Sequence, residues 1–142
     1  MWSTANGNVY DCKGNIIASK NRPSVNFRVY WDGDLQDELL DGVKIDKWNG
    51  TKANRMITLS DYSNAASCNS TKATPNSSAD ILGDWREEIV TALPGEIRIY
   101  TTNIPARDRR VTLMQDALYR NYIAHRSMGY PQAPVPSFYL GE

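Results

Sequence analysis

The chain is poor in the residues that build the commonest reactive centres. His125 is the only histidine among 142 residues. That excludes a convincing Ser-His-Asp triad and a zinc site of clustered histidines and cysteines. A lone histidine is more often a hydrogen-bonded structural residue than a ligand or a base. Cys12 and Cys68 are the only cysteines and have no metal-like spacing. Two separate thiols are a simpler expectation than a disulfide in so sparse a set. No Gly-rich phosphate loop is present. No apolar run is long enough for a transmembrane helix. Residues 1–20 lack a basic start and an apolar core, so no signal peptide is expected in this chain. The 16 basic and 16 acidic residues cancel. Nothing therefore favours nucleic acid or a membrane as a partner.

What the chain does have is a phrase used twice. Gly33-Asp34-Leu35-Gln36-Asp37-Glu38-Leu39-Leu40 is echoed by Gly83-Asp84-Trp85-Arg86-Glu87-Glu88-Ile89-Val90. Both read Gly-Asp, an apolar residue, a polar residue, two acids and two aliphatics. Each is followed by a glycine turn, Asp41-Gly42 or Pro94-Gly95, and then by an alternating run, Val43 to Trp48 or Glu96 to Thr101. A period of about 40–50 residues built from strands and turns is the pattern of propeller blades. The expected fold is therefore all-β, with about two to three four-stranded antiparallel blades. A closed propeller typically needs four or more blades. The chain is thus expected to form an incomplete propeller that needs missing N-terminal blades or self-association to close.

Turn chemistry divides the rest. Val9 to Ala18 reads as a hairpin around Asp11, Gly14 and Asn15. Asn26–Trp31, Glu38–Leu40, Lys44–Trp48 and Arg55–Leu59 read as the four strands of one blade. Residues 60–79 are rich in Ser, Asn, Thr and Ala and read as a long structureless connection, more often functional than filler. Strands are expected again at Glu87–Ala92, Ile97–Thr102 and Val111–Met114. Residues 115–130 suit a short helix, with Leu118, Tyr122 and Ile123 on one face, or an irregular segment. Pro131, Pro134 and Pro136 forbid regular structure until Ser137-Phe138-Tyr139-Leu140, an apolar run suited to a closing strand.

Three places could carry chemistry. In the second acidic turn Asp80, Leu82, Asp84 and Glu88 fall at positions 1, 3, 5 and 9 of a nine-residue loop. Side-chain oxygens at 1, 5 and 9 with backbone oxygens between could cradle Ca²⁺, which takes six to eight oxygens. The first turn puts Asp32, Asp34 and Glu38 at positions 3, 5 and 9, with Tyr30 at position 1. A solvated acidic turn is the plain alternative, since Asp and Gly are good turn residues. The polar loop around Asn69, Ser70, Thr71 and Lys72 could surround a hydroxylated anionic ligand. A surface lysine is the plain alternative there. Gly129-Tyr130-Pro131 could expose a phenol, although such a tyrosine is most often a packed aromatic cap.

Several long phrases together resemble the C-terminal region of rhamnogalacturonan lyases of polysaccharide lyase family eleven. They are Asn26 to Asn49, Asn69-Ser70-Thr71-Lys72-Ala73-Thr74-Pro75-Asn76, Gly83-Asp84-Trp85-Arg86-Glu87-Glu88, Arg98-Ile99-Tyr100-Thr101-Thr102, Thr112-Leu113-Met114 and Ser137-Phe138-Tyr139-Leu140-Gly141. Order and spacing agree along nearly the whole chain, Met1-Trp2-Ser3 included. The resemblance implies an eight-bladed propeller several times longer than this chain, secreted, using structural and active-site calcium. It implies cleavage of the rhamnogalacturonan I backbone of pectin by β-elimination, with that polysaccharide as partner. The family's Asn-Gly-Thr-Lys loop looks like Asn69-Ser70-Thr71-Lys72, and its late active-site tyrosine looks like Tyr130. Lys72 and Tyr130 would be catalytic, with the roles of base, carboxylate partner and proton donor open between them. Asn69, Ser70, Thr71, Ser127 and Gly129 would line the substrate groove. Ser70 stands in place of a family Gly, Ser127 and Pro131 in place of Asn, and Val135 in place of His. Early-blade binding residues and an active-site Arg have no counterpart, so this chain alone is expected to be inactive. The alternative is a non-catalytic structural or glycan-binding fragment.

Overall fold

A computed structural model describes residues 7–20, 22–24, 26–129 and 131–141. Alternating apolar residues and glycine turns fold into three antiparallel sheets. A hairpin pairs β1 (Val9–Tyr10) with β2 (Ile16–Ala18). A four-stranded meander runs β3 (Phe27–Val29), β4 (Glu38–Asp41), β5 (Lys44–Trp48) and β6 (Ala53–Thr58). A three-stranded meander follows, with β7 (Ser77–Ala79), β8 (Glu88–Leu93) and β9 (Glu96–Tyr100). One helix, α1 (Ala117–His125), completes the set. Among the described residues no helix is long and apolar enough to cross a membrane.

Register decides what each face buries. Phe27 pairs with Leu40, and Leu40 with Ile45, so these three share one face. They pack with Val29, Trp31, Leu59, Ala65 and Ile89 of β8, which joins the two meanders. The opposite face places Leu39 and Trp48 against Val9 of the hairpin. A third cluster gathers Tyr30, Trp85, Leu113, Tyr119 and Leu140, and it fixes α1 against the second acidic turn. Burial of such side chains contributes about 1.5–3 kcal/mol each.

Four expectations need correction. Val111–Met114 is not a strand: Leu113–Gln115 is a 3₁₀ turn. The cause is Asp80, whose carboxylate accepts from both Thr112 Oγ1 and Leu113 N at 2.7 Å and so draws that backbone out of an extended path. Ser137–Leu140 is not a closing strand either. Asp116 accepts from Ser137 N at 3.2 Å and Leu140 is buried as a plug in the third cluster. Residues 60–79 are not structureless, since they hold two 3₁₀ turns, the bridge Cys68–Thr74 and β7. The sheets have four and three strands, with a separate hairpin, in place of repeated sets of four. The helix over Ala117–His125 begins at the N-cap Asp116, which accepts from Tyr119 N at 2.8 Å. Its core residue is Tyr119, and Leu118 is exposed. Both cysteines are free thiols.

Candidate functional site

The loop that carries Lys72 holds three of the five non-glycine residues with positive φ among the described residues. Asn69, Ser70 and Ala73 have φ of 66°, 48° and 51°, a left-handed region that costs a side-chain-bearing residue about 1–2 kcal/mol. Three such residues within five persist only where surroundings hold them. Cys68 N donates to Thr74 O at 2.8 Å and Thr74 N returns the bond to Cys68 O at 3.1 Å, which closes the loop's stem. Lys72 N donates to Asn69 O at 3.1 Å and Ala73 N to Ser70 O at 3.0 Å, so the tip is a tight turn. The first meander grips it from below: Asn26 Nδ2 donates to Lys72 O at 2.6 Å and Gly42 N to Ala73 O at 2.9 Å. Asn69, Ser70 and Thr71 are exposed and Lys72 is half-buried.

A groove of about 370 Å³ opens beside this loop. Asn26, which holds the Lys72 carbonyl, lines it together with Arg28, Asp37, Tyr122, Gln132 and Ala133. Two arginines fasten its proline-rich wall. Arg28 donates to Pro134 O, and Arg126 donates to Gln132 O at 3.0 Å and to Ser77 Oγ and Ser78 Oγ at 3.1 and 3.0 Å. Arg126 thus ties the segment after residue 130 to the strand that follows the Lys72 loop. Tyr130 itself lies outside the described residues. Ser127 is exposed, with its hydroxyl donating to Ala124 O at 2.8 Å, and Gly129 is exposed with φ 149°.

Beneath the groove lies a buried polar network that the repeated phrase did not foretell. Glu87 is 1% exposed and accepts from Tyr30 N at 2.9 Å and Tyr119 Oη at 2.7 Å. Arg28 approaches it at 3.6 Å while stacking 4.5 Å from the Tyr30 ring centre. Tyr119 Oη in turn accepts from Asp80 N at 2.9 Å. Burial pushes the Glu87 carboxyl above its usual range, against the pull of Arg28. Burial pushes the Tyr119 phenol up as well, and neighbouring Glu87 adds to the shift. The hydrogen bonds among Glu87, Tyr30, Tyr119 and Asp80 fix the two meanders and α1 to one another, with Arg28 held near Glu87 as an ion pair.

The two acidic turns share a scaffold. Glu38 Oε2 accepts from Trp31 N and Asp32 N at 2.7 and 3.2 Å, and Glu88 Oε2 accepts from Ile81 N and Leu82 N at 2.8 and 3.0 Å. Asp34 Oδ1 accepts from Gln36 N at 2.8 Å, and Asp84 Oδ1 from Arg86 N at 3.1 Å. They part at the place where a cation would sit. In the first turn carboxylate oxygens of Asp32, Asp34 and Glu38 lie within 4.8 Å of one another. Lys47 Nζ contacts all three, at 3.1, 2.8 and 2.6 Å. Burial works against the Lys47 charge, but hydrogen bonds to Asp34 and Glu38 prevail and raise its pKa. In the second turn Asp80 accepts from Gly83 N, Thr112 Oγ1 and Leu113 N. Asp84 turns to the Arg86 guanidinium, and Leu82 is 64% exposed. The first turn has the donor chemistry for calcium but its focus holds an ammonium, and the donors of the second are spread. Neither arrangement fits the ion as it stands.

The comparisons with known proteins agree on one family. The description "Rhamnogalacturonan lyase family 11, C-terminal domain" matches residues 1–142. The rhamnogalacturonan endolyase YesW of Bacillus subtilis is 50% identical over 97% of this chain, and the exolyase YesX of the same organism 39% over 94%. The crystal structure of YesW superposes with a TM-score of 0.82 at 46% identity over 96% of the chain. A Bacillus licheniformis rhamnogalacturonan lyase does so with 0.82 at 48%. The chain spans only 22–24% of the length of these relatives.

Proposed function

Because the chain belongs to rhamnogalacturonan lyase family 11, through its C-terminal domain, we propose that it is the C-terminal part of a secreted, pectin-degrading lyase. Its two meanders are then two adjoining blades of a propeller that the rest of the protein completes. The substrate is the rhamnogalacturonan I backbone, cut by β-elimination. A base takes the proton alpha to the uronate carboxylate, the electron pair forms a carbon–carbon double bond, and the glycosidic C–O bond breaks with a proton delivered to the leaving oxygen. Positive charge beside the carboxylate stabilises the enolate-like state. Lys72 supplies the base or that charge, and Tyr130 serves the leaving oxygen. Asn69, Ser70, Thr71, Ser127 and Gly129 contact the sugar.

The observation that carries this reading is the Lys72 loop: a strained turn, fastened through its own carbonyl to a residue that lines a groove. The same groove is lined by Gln132 and Ala133, next to Tyr130 in sequence. Calcium dependence is proposed for the whole enzyme, at donors other than the two acidic turns as they are arranged here. The rival reading, a glycan-binding or structural fragment, has no observation in its favour. The test uses the full-length protein on rhamnogalacturonan I and reads ultraviolet absorbance of unsaturated product. Lys72→Ala should lower kcat by about 10²-fold or more with a small change in KM, the range of a lost acid–base group. Absence of unsaturated product from the unsubstituted enzyme would overturn the reading.

A further inference from the structure

Lys47 has three ammonium protons and meets three carboxylates, at 3.1, 2.8 and 2.6 Å. It also lies 3.5 Å from Gln36 O, so its three donors are fully engaged by the turn. The repeat within the chain shows what the lysine is for. Glu38 and Glu88, Leu39 and Ile89 are counterparts in the repeated phrase. Leu39 pairs with Asp46 across β4–β5, and Ile89 pairs with Tyr100 across β8–β9. The next residue is Lys47, within the inner strand β5, in the first meander and Thr101, just past the end of β9, in the second. Both reach the same atom of the turn: Lys47 Nζ donates to Glu38 Oε1 at 2.6 Å, and Thr101 Oγ1 donates to Glu88 Oε1 at 3.2 Å. Where the turn places an acid at position 32, the facing residue is a cation. Where that position is Leu82, it is a neutral hydroxyl. Both turns hold three candidate donor acids, and what changes with the facing residue is whether the third acid lies beside it, as Asp32 does, or is turned to Thr112 and Leu113, as Asp80 is.

We propose that Lys47 is the built-in cation of the first acidic turn, placed where Asp32, Asp34 and Glu38 would otherwise gather a divalent ion. The turn then closes without metal and is indifferent to chelators. A tethered ammonium is present at unit occupancy in every folded chain, so a free ion must displace it before binding. Removal of the ammonium leaves three converging carboxylates, a donor set suited to Ca²⁺.

The test has two arms on the full-length protein. In the first, lysines of the unsubstituted protein are acetylated and read residue by residue by mass spectrometry, in chelator and in millimolar Ca²⁺. Lys47 should react severalfold more slowly than the exposed Lys44 and Lys52, at a rate that Ca²⁺ leaves unchanged. Acceleration of Lys47 alone by Ca²⁺ overturns the proposal, because the ion would then be taking its place. In the second arm, equilibrium dialysis compares bound Ca²⁺ per chain in the unsubstituted protein and in Lys47→Met. The variant should hold one more ion, lost again on adding Asp34→Ser. An equal count in both proteins overturns the shared seat. If Lys47→Met does not fold, the acetylation arm decides by itself.

Discussion

Residues 30–38 and 80–88 anchor their turns alike, with equivalent glutamates accepting from equivalent pairs of backbone amides. Yet their glycines stand there for different reasons. Gly83 has φ +81°, which glycine adopts freely. At Gly33 a Cβ would meet Pro105 O at 2.5 Å, so the residue admits a crossing backbone. The acids also differ in task. In the first turn Asp32, Asp34 and Glu38 converge on one ammonium. In the second Asp80 and the adjacent Glu87 reach outward to Thr112, Leu113 and Tyr119, and so hold the segment that leads into α1. A repeated phrase therefore fixes how the glutamate anchors the turn but not every dihedral, since Gly83 and Trp85 have positive φ where Gly33 and Leu35 do not. The partners supplied by neighbouring strands decide whether the turn is a closed charge cluster or a docking point.

The sharpest way to break this contrast is to remove the two facing residues in turn. Lys47→Met should lower unfolding free energy by about 2–3 kcal/mol, somewhat less than the 3–5 of a fully buried pair because the lysine side chain keeps 20% exposure. Thr101→Val should cost about 1 kcal/mol, one neutral donor's worth. Equal losses in chemical denaturation would dissolve the distinction. The pH dependence adds a sign. Burial pushes the Glu38 carboxyl up to about 7 from 4.5, while Lys47 pulls it down. Between those values the folded state holds more protons on Glu38 than the unfolded state does. Its contribution to stability therefore falls as pH rises through that window. Without Lys47 the fall is steeper, so Lys47→Met should cost more at pH 8 than at pH 5.

On the other side of the contrast, Tyr119→Phe removes the hydroxyl that donates to Glu87 and accepts from Asp80 N. Both partners are buried. The loss should be about 2 kcal/mol, within the range for leaving a buried polar group unsatisfied. Hydrogen exchange should rise in Ala117–His125 and not in β4–β5. Equal loosening of the first meander would mean that the two turns are not separate devices.

The repeated phrase made the acidic turns and the hairpins after them legible, because alternation and glycine placement are local. The resemblance located the Lys72 loop, although nothing local announced its left-handed residues, since none of Asn69, Ser70 and Ala73 is a glycine. Lys47 could be read as a strand residue in Lys44–Trp48, but its role depends on which atom the opposite strand presents. That is a fact of register, and the signal for it was the pairing of an Asp at position 32, where the second turn has Leu82, with a lysine one strand away. Glu87, Arg28 and Arg126 escaped for a like reason. Their partners Tyr119, Pro134 and Gln132 lie 32, 106 and 6 residues off in sequence, across a proline-rich tail with no periodicity. Val111–Met114 looked like a strand because β-branched and apolar residues alternate there. The Asp80 carboxylate, not propensity, sets that backbone.

The smallest expected effect is also the most direct test of the rule that links turn and strand. The second turn can be given the first turn's charges by Leu82→Asp and Thr101→Lys together. Leu82 is 64% exposed, so the aspartate displaces no core. Alone, Leu82→Asp adds a carboxylate beside Glu88 and should be mildly destabilising. Alone, Thr101→Lys trades a hydroxyl bond to Glu88 Oε1 for a cation with one close acid, and should be near neutral. Together they recreate an ammonium between converging carboxylates on a scaffold whose backbone bonds are already in place. The double variant should therefore be more stable than the sum of the singles by about 1 kcal/mol, the coupling of neighbouring charges in contact. Thermal or denaturant unfolding of the four proteins measures it. The coupling should shrink in high salt, because this seat lies nearer solvent than that of Lys47. Strict additivity would show that the facing strand does not aim its residue at the turn. The match between Lys47 and Thr101 would then be one of register without consequence for charge.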